Sequence, residues 1–326
     1  MDVAVVIVNW NGGSTTLECL ERVSQLDVSA IVVDNGSSDG SAELVEARYP
    51  QVTLLRAGTN LGYAGGNNLG IRRALDDGAR FIWVMNNDLL PERNALGELL
   101  AGMHVNAGCL ATRSPTEPTA FADGRAVTCS GCEVGFHPAE GLKGASLFFR
   151  AEALERVGLF DETYFHYFEE VDLVARLREH GFAVGLACRA VAHHSAGTSL
   201  SPRSAQALYY FVRNGIRFER RRSGRSFVGA LRSGRWRAYL AVGESLRHRD
   251  GRAIVATLLA VTDAAVGRYG RRDLPARYRE PLPWAWGDLG APERAPGRSR
   301  SGADVRRQRD TRRARSTEAR RGSAGD

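Results

Sequence analysis

The sequence predicts an α/β protein: a mostly parallel central sheet flanked by helices, followed by a helical C-terminal extension. Two observations carry this expectation. Short β-branched runs alternate with helix-like segments through the first hundred residues, the pattern of right-handed βαβ units. Several of those runs stop abruptly on carboxylates and amides, and open α/β sheets present ligand-binding residues at the carboxyl ends of their strands. With 326 residues, 43% hydrophobic and 25% charged, the chain has enough apolar content for one large domain or two small ones.

Residues 3–8 are a continuous β-branched run, as expected of a strand buried on both faces, and Asn9-Trp10-Asn11-Gly12-Gly13 ends it. Ser14 or Thr15 is placed to cap a helix running to about residue 26. A second strand at 30–33 ends in Asp34-Asn35-Gly36-Ser37-Ser38-Asp39-Gly40-Ser41, where Asp34 either holds its own loop as an Asx-turn or bonds a base or ribose. A helix from about 41 to Pro50 and a strand at 52–55 follow. The run from Gly58 to Gly70 holds glycines and asparagines and opens into a helix reaching about Asp77. Glycine allows close backbone approach to a ligand, and a helix N-terminus favours an anion. Its spacing is neither a dinucleotide fingerprint nor a P-loop.

The organising stretch is Phe81-Ile82-Trp83-Val84-Met85-Asn86-Asn87-Asp88, a strand delivering a carboxylate to its end. A lone Asp there suits Mg²⁺ or Mn²⁺, which takes one or two carboxylates plus the phosphates of a substrate. A polar turn after a strand is the plain alternative. A helix is expected from Pro91 to about Met103, and residues 106–143 read as loop-rich. Cys129-Ser130-Gly131-Cys132 has half the spacing of a zinc site, but no second cysteine pair lies nearby and His137 is the one close third ligand. A strand at 144–150 enters a helix at 151–157. The helix from about Glu169 to His180 starts with Glu169, Glu170 and Asp172 behind aromatic residues. These carboxylates either decorate a helix start or are buried enough to serve as a base. A strand at 182–186 leads to His193 and His194, where imidazole can complete a metal site with Asp88.

Charge divides the chain. Residues 201–326 hold 29 arginines against 12 acidic residues, a balance of +17 that leaves −10 for the first 200. An acidic front half that binds an anionic nucleotide needs a cation to mediate the contact. The odd count of five cysteines at irregular spacing suggests thiols in a reducing compartment, the cytoplasm, and no stretch reads as a membrane span or signal peptide.

In order, Val5-Val6-Ile7-Val8-Asn9-Trp10-Asn11, Val33 to Ser41, Asn60 to Asn68, Asn86-Asn87-Asp88, Gly158 to Glu162, Tyr167 to Leu173 and His194 to Ser199 resemble the glycosyltransferases of family 2, closest to bacterial rhamnosyltransferases. The resemblance covers about residues 3–200. It implies a GT-A, Rossmann-like catalytic domain over 1–200. Residues 201–290 read as a basic helical extension, and the Arg-rich 291–326 tail, with almost no apolar content, is expected to be disordered. The resemblance implies that Asp34 contacts the nucleotide base, with Asn9, Asn60, Gly62, Gly66 and Asn67 also on the nucleotide-sugar, beside Asn86 and Asn87. Asp88 matches the last residue of the metal-binding DXD-type motif, whose first position is Asn86 here, and His194 matches a metal ligand of some relatives. The base position matches Glu170, a Glu where relatives usually carry Asp, with Asp172 close enough to compete. The implied reaction is inverting transfer, most simply of rhamnose from dTDP-rhamnose, to a saccharide or lipid-linked acceptor. The rivals are a nucleotidyltransferase and a relative that binds without turnover.

In the basic half, helices are expected at 202–222, 226–247 and 252–268. Their apolar faces flanked by arginine suit either peripheral contact with an anionic membrane or packing on the catalytic domain. The tail lacks aromatic residues to stack on bases, so no specific nucleic-acid partner is expected.

Overall fold

The structure is a computed structural model and describes residues 2–129, 135–194, 204–233, 243, 245–246 and 248–282. The expectations placed on Cys132, residues 195–199, most of 234–247 and the 291–326 tail lie outside these residues. A central sheet runs in the order β3-β2-β1-β4-β11-β6-β12-β5, with β9 also paired to β12. Its first part is parallel: β1 (Val3–Asn9) lies between β2 (Ser29–Asp34) and β4 (Phe81–Asn86), and β3 (Thr53–Arg56) sits outside β2. Then β11 (Ser146–Arg150) inserts antiparallel between β4 and β6 (Ala107–Arg113). β12 (Ala183–His194) runs parallel to β6 and antiparallel to β5 (Leu89–Pro91) and β9 (Phe136–Pro138).

Alternation along β1 explains the layering. Val3, Val5 and Ile7 face α1 (Gly13–Val23) and α4 (Ala95–Gly102), while Ala4 and Val6 face α3 (Gly62–Asp76), all within two buried clusters. α5 (Ala151–Val157) and α6 (Glu169–Glu179) complete the α3 side, and α2 (Ser41–Arg48) follows the β2 loop. A small sheet of β7 (Ala120–Ala122), β8 (Arg125–Ala126) and β10 (Gly141–Leu142) lies in the segment read from sequence as loop.

Three local expectations are corrected. Gly12, not Ser14 or Thr15, is the N-cap of α1, and the Thr16 hydroxyl instead donates to Asn9 Oδ1 at 2.7 Å. The helix expected from Pro91 starts at Ala95, because Leu89–Pro91 is consumed in pairing with β12. The glycine-rich run is helix from Gly62 onward rather than loop. Its small residues let α3 lie close on the sheet: a Cβ at Gly70 would stand 2.4 Å from Val6 Cγ1.

Beyond the sheet, α7 (Ala205–Ser223) and α9 (Arg252–Ala265) pack together, with α8 (Phe227–Ser233) against α7. Tyr209, Tyr210 and Ile216 of α7 are buried, with Phe165 and Tyr167 packed on the same cluster. The apolar face of α7 is therefore occupied by protein. No helix among the described residues is long and apolar enough to cross a membrane.

Candidate active site

The parallel strands bring Asn9, Asp34 and the Asn86–Asp88 turn to one edge. Register pairs Asn9 with Asp34 and Val8 with Asn86. Asn9 is fully buried, and its amide donates to Ser41 Oγ at 2.8 Å, Ser37 Oγ at 3.1 Å and Asp34 Oδ1 at 3.4 Å while accepting from Thr16. Asn9, expected on the nucleotide-sugar, holds Asp34 and its loop. Asp34 Oδ1 also accepts from the Ser37 N–H at 3.3 Å, so its turn-holding role is realised, and one carboxylate oxygen meets both demands.

Asn35, which sequence reasoning passed over, clasps the β3–α3 turn. It donates to Asn60 Oδ1 and to the Gly62 carbonyl and accepts from the Leu61 N–H at 2.8 Å. Asn35, Asn60 and Gly62 line an open cleft, together with Asn86 and Asn87 from the other side. Gly66 and Asn67 do not. They are buried within α3, where a Cβ on Gly66 would stand 3.0 Å from Val8 Cγ1 and Asn67 donates to the Tyr63 carbonyl. Expected on the ligand, both make helix-packing contacts here. The α3 N-terminus is occupied as well, since the Tyr63 N–H donates to the Phe165 carbonyl at 2.8 Å.

The register of β12 with β5 sets His194 opposite Leu89 and so beside Asp88. His194 Nε2 lies 3.0 Å from Asp88 Oδ1 and 3.4 Å from Asn86 Nδ2. On its other side Nδ1 lies 3.1 Å from Glu117 Oε1, and Lys143 Nζ meets Glu117 at 2.7 Å. The hydrogen bond that His194 donates to Asp88, then the one to Glu117, raise its imidazole to about 9. The His194 bond, then Lys143, hold the Glu117 carboxyl down at about 2. Among the described residues no group of three His, Cys, Asp or Glu forms a ready-made metal cage. A carboxylate and an imidazole nitrogen side by side, the ring fixed from behind by a second carboxylate, nevertheless fit a divalent cation that takes its remaining ligands from substrate and water.

The acidic start of α6 reaches the same place. Phe165, Tyr167 and Phe168 have φ of 65°, 67° and 75°, a left-handed stretch that turns the chain sharply into Glu169. The Tyr63 hydroxyl donates to the Gly144 carbonyl, and a Cβ on Gly144 would stand 3.4 Å from Glu170 Cγ. Burial, then the charges of Glu169, Glu170 and Asp88, push the Tyr63 phenol well up. Burial raises both Glu169 and Glu170, and the charge of Glu170 raises Glu169 further. Oε2 of each is buried without a protein hydrogen-bond partner among the described residues. Asp172 differs. It is ion-paired at 2.8 Å to Arg176 Nε, whose other N–H groups cap the Val157, Gly158 and Leu159 carbonyls. Asp172, expected to compete for the base role, is held in this pairing.

The buried Glu169 carboxylate has a thermodynamic consequence. A carboxyl raised in the fold stabilises it when protonated and loses that contribution as pH rises through the raised value. Glu169→Gln is expected to raise the melting temperature by about 2–4 °C at pH 8. The gain should vanish below the ordinary glutamate value of 4.5, as read by calorimetry across pH. A gain that persists at pH 4 would contradict burial of the charge as its cause.

Comparison with known proteins supports the same reading. The family described as "Glycosyl transferase family 2" matches residues 4–125. The chain is 31% identical over 284 residues to an N-acetylglucosaminyl-diphospho-decaprenol L-rhamnosyltransferase of Mycobacterium tuberculosis, covering 72% of this chain and 87% of the relative. It is 32% identical over 204 residues to a galactofuranosyltransferase of Mycolicibacterium smegmatis, covering 57% and 67%. In fold it is similar to a mannosyltransferase from Pyrobaculum calidifontis solved with GDP-Man and Mn²⁺, at 16% identity and a TM-score of 0.54 over 82% of this chain and 86% of that one. With the similarity to the rhamnosyltransferase extending over most of that protein's length, the chain belongs to glycosyltransferase family 2, in its rhamnosyltransferase-like branch.

Proposed function

We propose that this glycosyltransferase moves rhamnose from dTDP-rhamnose, with inversion, to a hydroxyl of a lipid-linked saccharide of the cell envelope. The observation that carries the reading is the carboxylate pair of Glu169 and Glu170, each with a buried Oε2 that has no protein hydrogen-bond partner among the described residues. In this reading Glu170 takes the proton from the acceptor hydroxyl as its oxygen attacks C1 of the sugar. The C1–O bond to the diphosphate breaks, and its electron pair leaves with the nucleoside diphosphate. Asp88 and His194 would hold a divalent cation, Mg²⁺ or Mn²⁺, whose chemistry is to neutralise charge on that leaving group. Asp34 accepts from the base, and Asn60, Asn86 and Asn87 line the path of the nucleotide-sugar.

Support for the acceptor class comes from the relative's name, a transferase to a diphospho-decaprenol, and from the surface. Val255, Leu258 and Val266 of α9 and its C-terminal end are exposed, by 41%, 62% and 67%. With the arginine excess of this half, they suit peripheral contact with an anionic membrane.

The reading is tested by thermal melting of the purified chain with dTDP-, UDP- and GDP-sugars, with and without Mn²⁺. A ligand at one hundred times its Kd stabilises the native state by about 2.7 kcal/mol. A metal-dependent rise with dTDP-rhamnose, lost in Asp88→Ala, is expected. A rise confined to another base would move the donor assignment, and release of pyrophosphate on turnover would favour a nucleotidyltransferase.

A further inference from the structure

The cleft has a wall that the sequence reading did not anticipate. Gln206 and Tyr210 of α7, and Arg271, Asp273 and Arg279 from the segment after α9, line it opposite the strand ends. This segment is a pinned strap. The Gly270 N–H donates to the Thr163 carbonyl at 2.7 Å, and the Gly270 carbonyl accepts from Arg213 at 2.7 Å. The Arg272 backbone bonds Tyr210 and Gln206, and the Leu274 N–H donates to Gln206 Oε1 at 2.8 Å. Residues 270, 272 and 274 thus face the protein, and 271 and 273 between them face the cleft, as in an extended chain.

What they present is charge. Arg271 Nε lies 3.0 Å from Asp273 Oδ2 and Arg279 Nη2 lies 3.3 Å from Asp273 Oδ1, so one carboxylate spaces two guanidiniums. Arg271 Nη1 also reaches the Asn60 carbonyl at 3.2 Å, which carries the strap across to the β3–α3 turn. The two side chains remain 43% and 49% exposed, with N–H groups left to donate. The rest of the cleft wall is amide, aromatic and apolar, with His166, lowered to about 4 by burial, uncharged at neutral pH. Two forks held apart by a bridging carboxylate match the geometry of phosphate oxygens.

We propose that Arg271 and Arg279 form a diphosphate-binding subsite, through which the basic half of the chain serves the acidic half's cleft. The inference rests on the glycosyl-transfer reading, which offers two sources of a diphosphate: the nucleotide-sugar donor and a prenyl-diphosphate-linked acceptor. Asp273 occupies the guanidiniums when the subsite is empty and competes with the incoming anion.

The test measures binding by calorimetry to the full chain, with dTDP against thymidine for the donor arm and farnesyl diphosphate against farnesol for the acceptor arm. Inorganic pyrophosphate serves as a third probe. R271Q/R279Q is expected to weaken one of the two diphosphates about tenfold or more, leaving its phosphate-free partner unchanged. The arm that responds names the source. D273N is expected to bind the same probe several-fold more tightly. Unchanged affinity for all three diphosphate probes in R271Q/R279Q overturns the proposal. So does equal weakening in R271Q/R279Q and D273N, which marks the strap as purely structural. If wild type binds no dTDP but pyrophosphate or farnesyl diphosphate in an arginine-dependent way, the donor assignment fails while the subsite stands.

Discussion

Glu170→Gln is expected to leave nucleotide-sugar binding intact and to lower turnover by about 10²–10⁴-fold, the usual worth of a positioned general base. Gln keeps the volume and the first-turn position but cannot accept the acceptor's proton. The expected phenotype is therefore a fall in kcat, with a melting shift on donor binding like that of wild type. Glu169→Gln is the necessary companion, because the two carboxylates share one buried site. Glu170 packs beside Gly144, adjacent to the Ala145 carbonyl that accepts from the Asn86 N–H, which ties it to the metal-side turn. If Glu169→Gln abolishes turnover and Glu170→Gln does not, the roles are exchanged. The pH profile gives an independent reading. A base must be ionised to act and burial raises its pKa, so kcat/KM should fall with acidification at a pH above the ordinary 4.5 of glutamate.

The residues that make this site were unevenly legible. β1, β2 and β4 announce themselves as β-branched or apolar runs because they are buried on both faces, and the gathering of Asn9, Asp34 and the Asn86–Asp88 turn at one edge follows from topology alone. β6 was hidden, since Ala107-Gly108-Cys109-Leu110-Ala111 has little strand propensity. Its small residues are there for close packing, a Cβ on Gly108 standing only 2.8 Å from Phe182. The same ambiguity attends Gly66 and Asn67. Glycine next to asparagine reads equally as a ligand loop or as a helix face that must approach a sheet, and only the packing distinguishes them. Glu117, Asn35 and the Arg271–Arg279 strap reach the site across long stretches of chain, and no local spacing signals such a meeting. From sequence the arginines suit either a membrane-facing surface or the exposed side of packed helices, yet Arg213 is fully buried and Arg271 faces the cleft.

Asn214 on α7 is the other residue whose loss should have a large effect, although nothing places it on substrate. Its Nδ2 lies 2.9 Å from the Tyr164 carbonyl, 2.8 Å from that of His166 and 2.9 Å from that of Tyr167, and its Oδ1 accepts from Arg213 Nε at 2.9 Å. The segment it grips contains three left-handed aromatic residues, Phe165, Tyr167 and Phe168, each a conformation costing about 1–3 kcal/mol. Such a turn persists only while the surroundings hold it, and it leads straight into Glu169 and Glu170. Asn214→Leu conserves size but removes the donor that three carbonyls share, a loss of about 1–3 kcal/mol in stability. The kinetic cost should exceed what stability predicts. Displacement of the α6 start by about 1 Å can cost 10²-fold in rate. Measured at a temperature where the variant is fully folded, kcat should fall about that far, with the circular dichroism of wild type. A folded Asn214→Leu enzyme with wild-type kcat would show that the strained turn holds its own shape, and that α7 contributes only stability to the site.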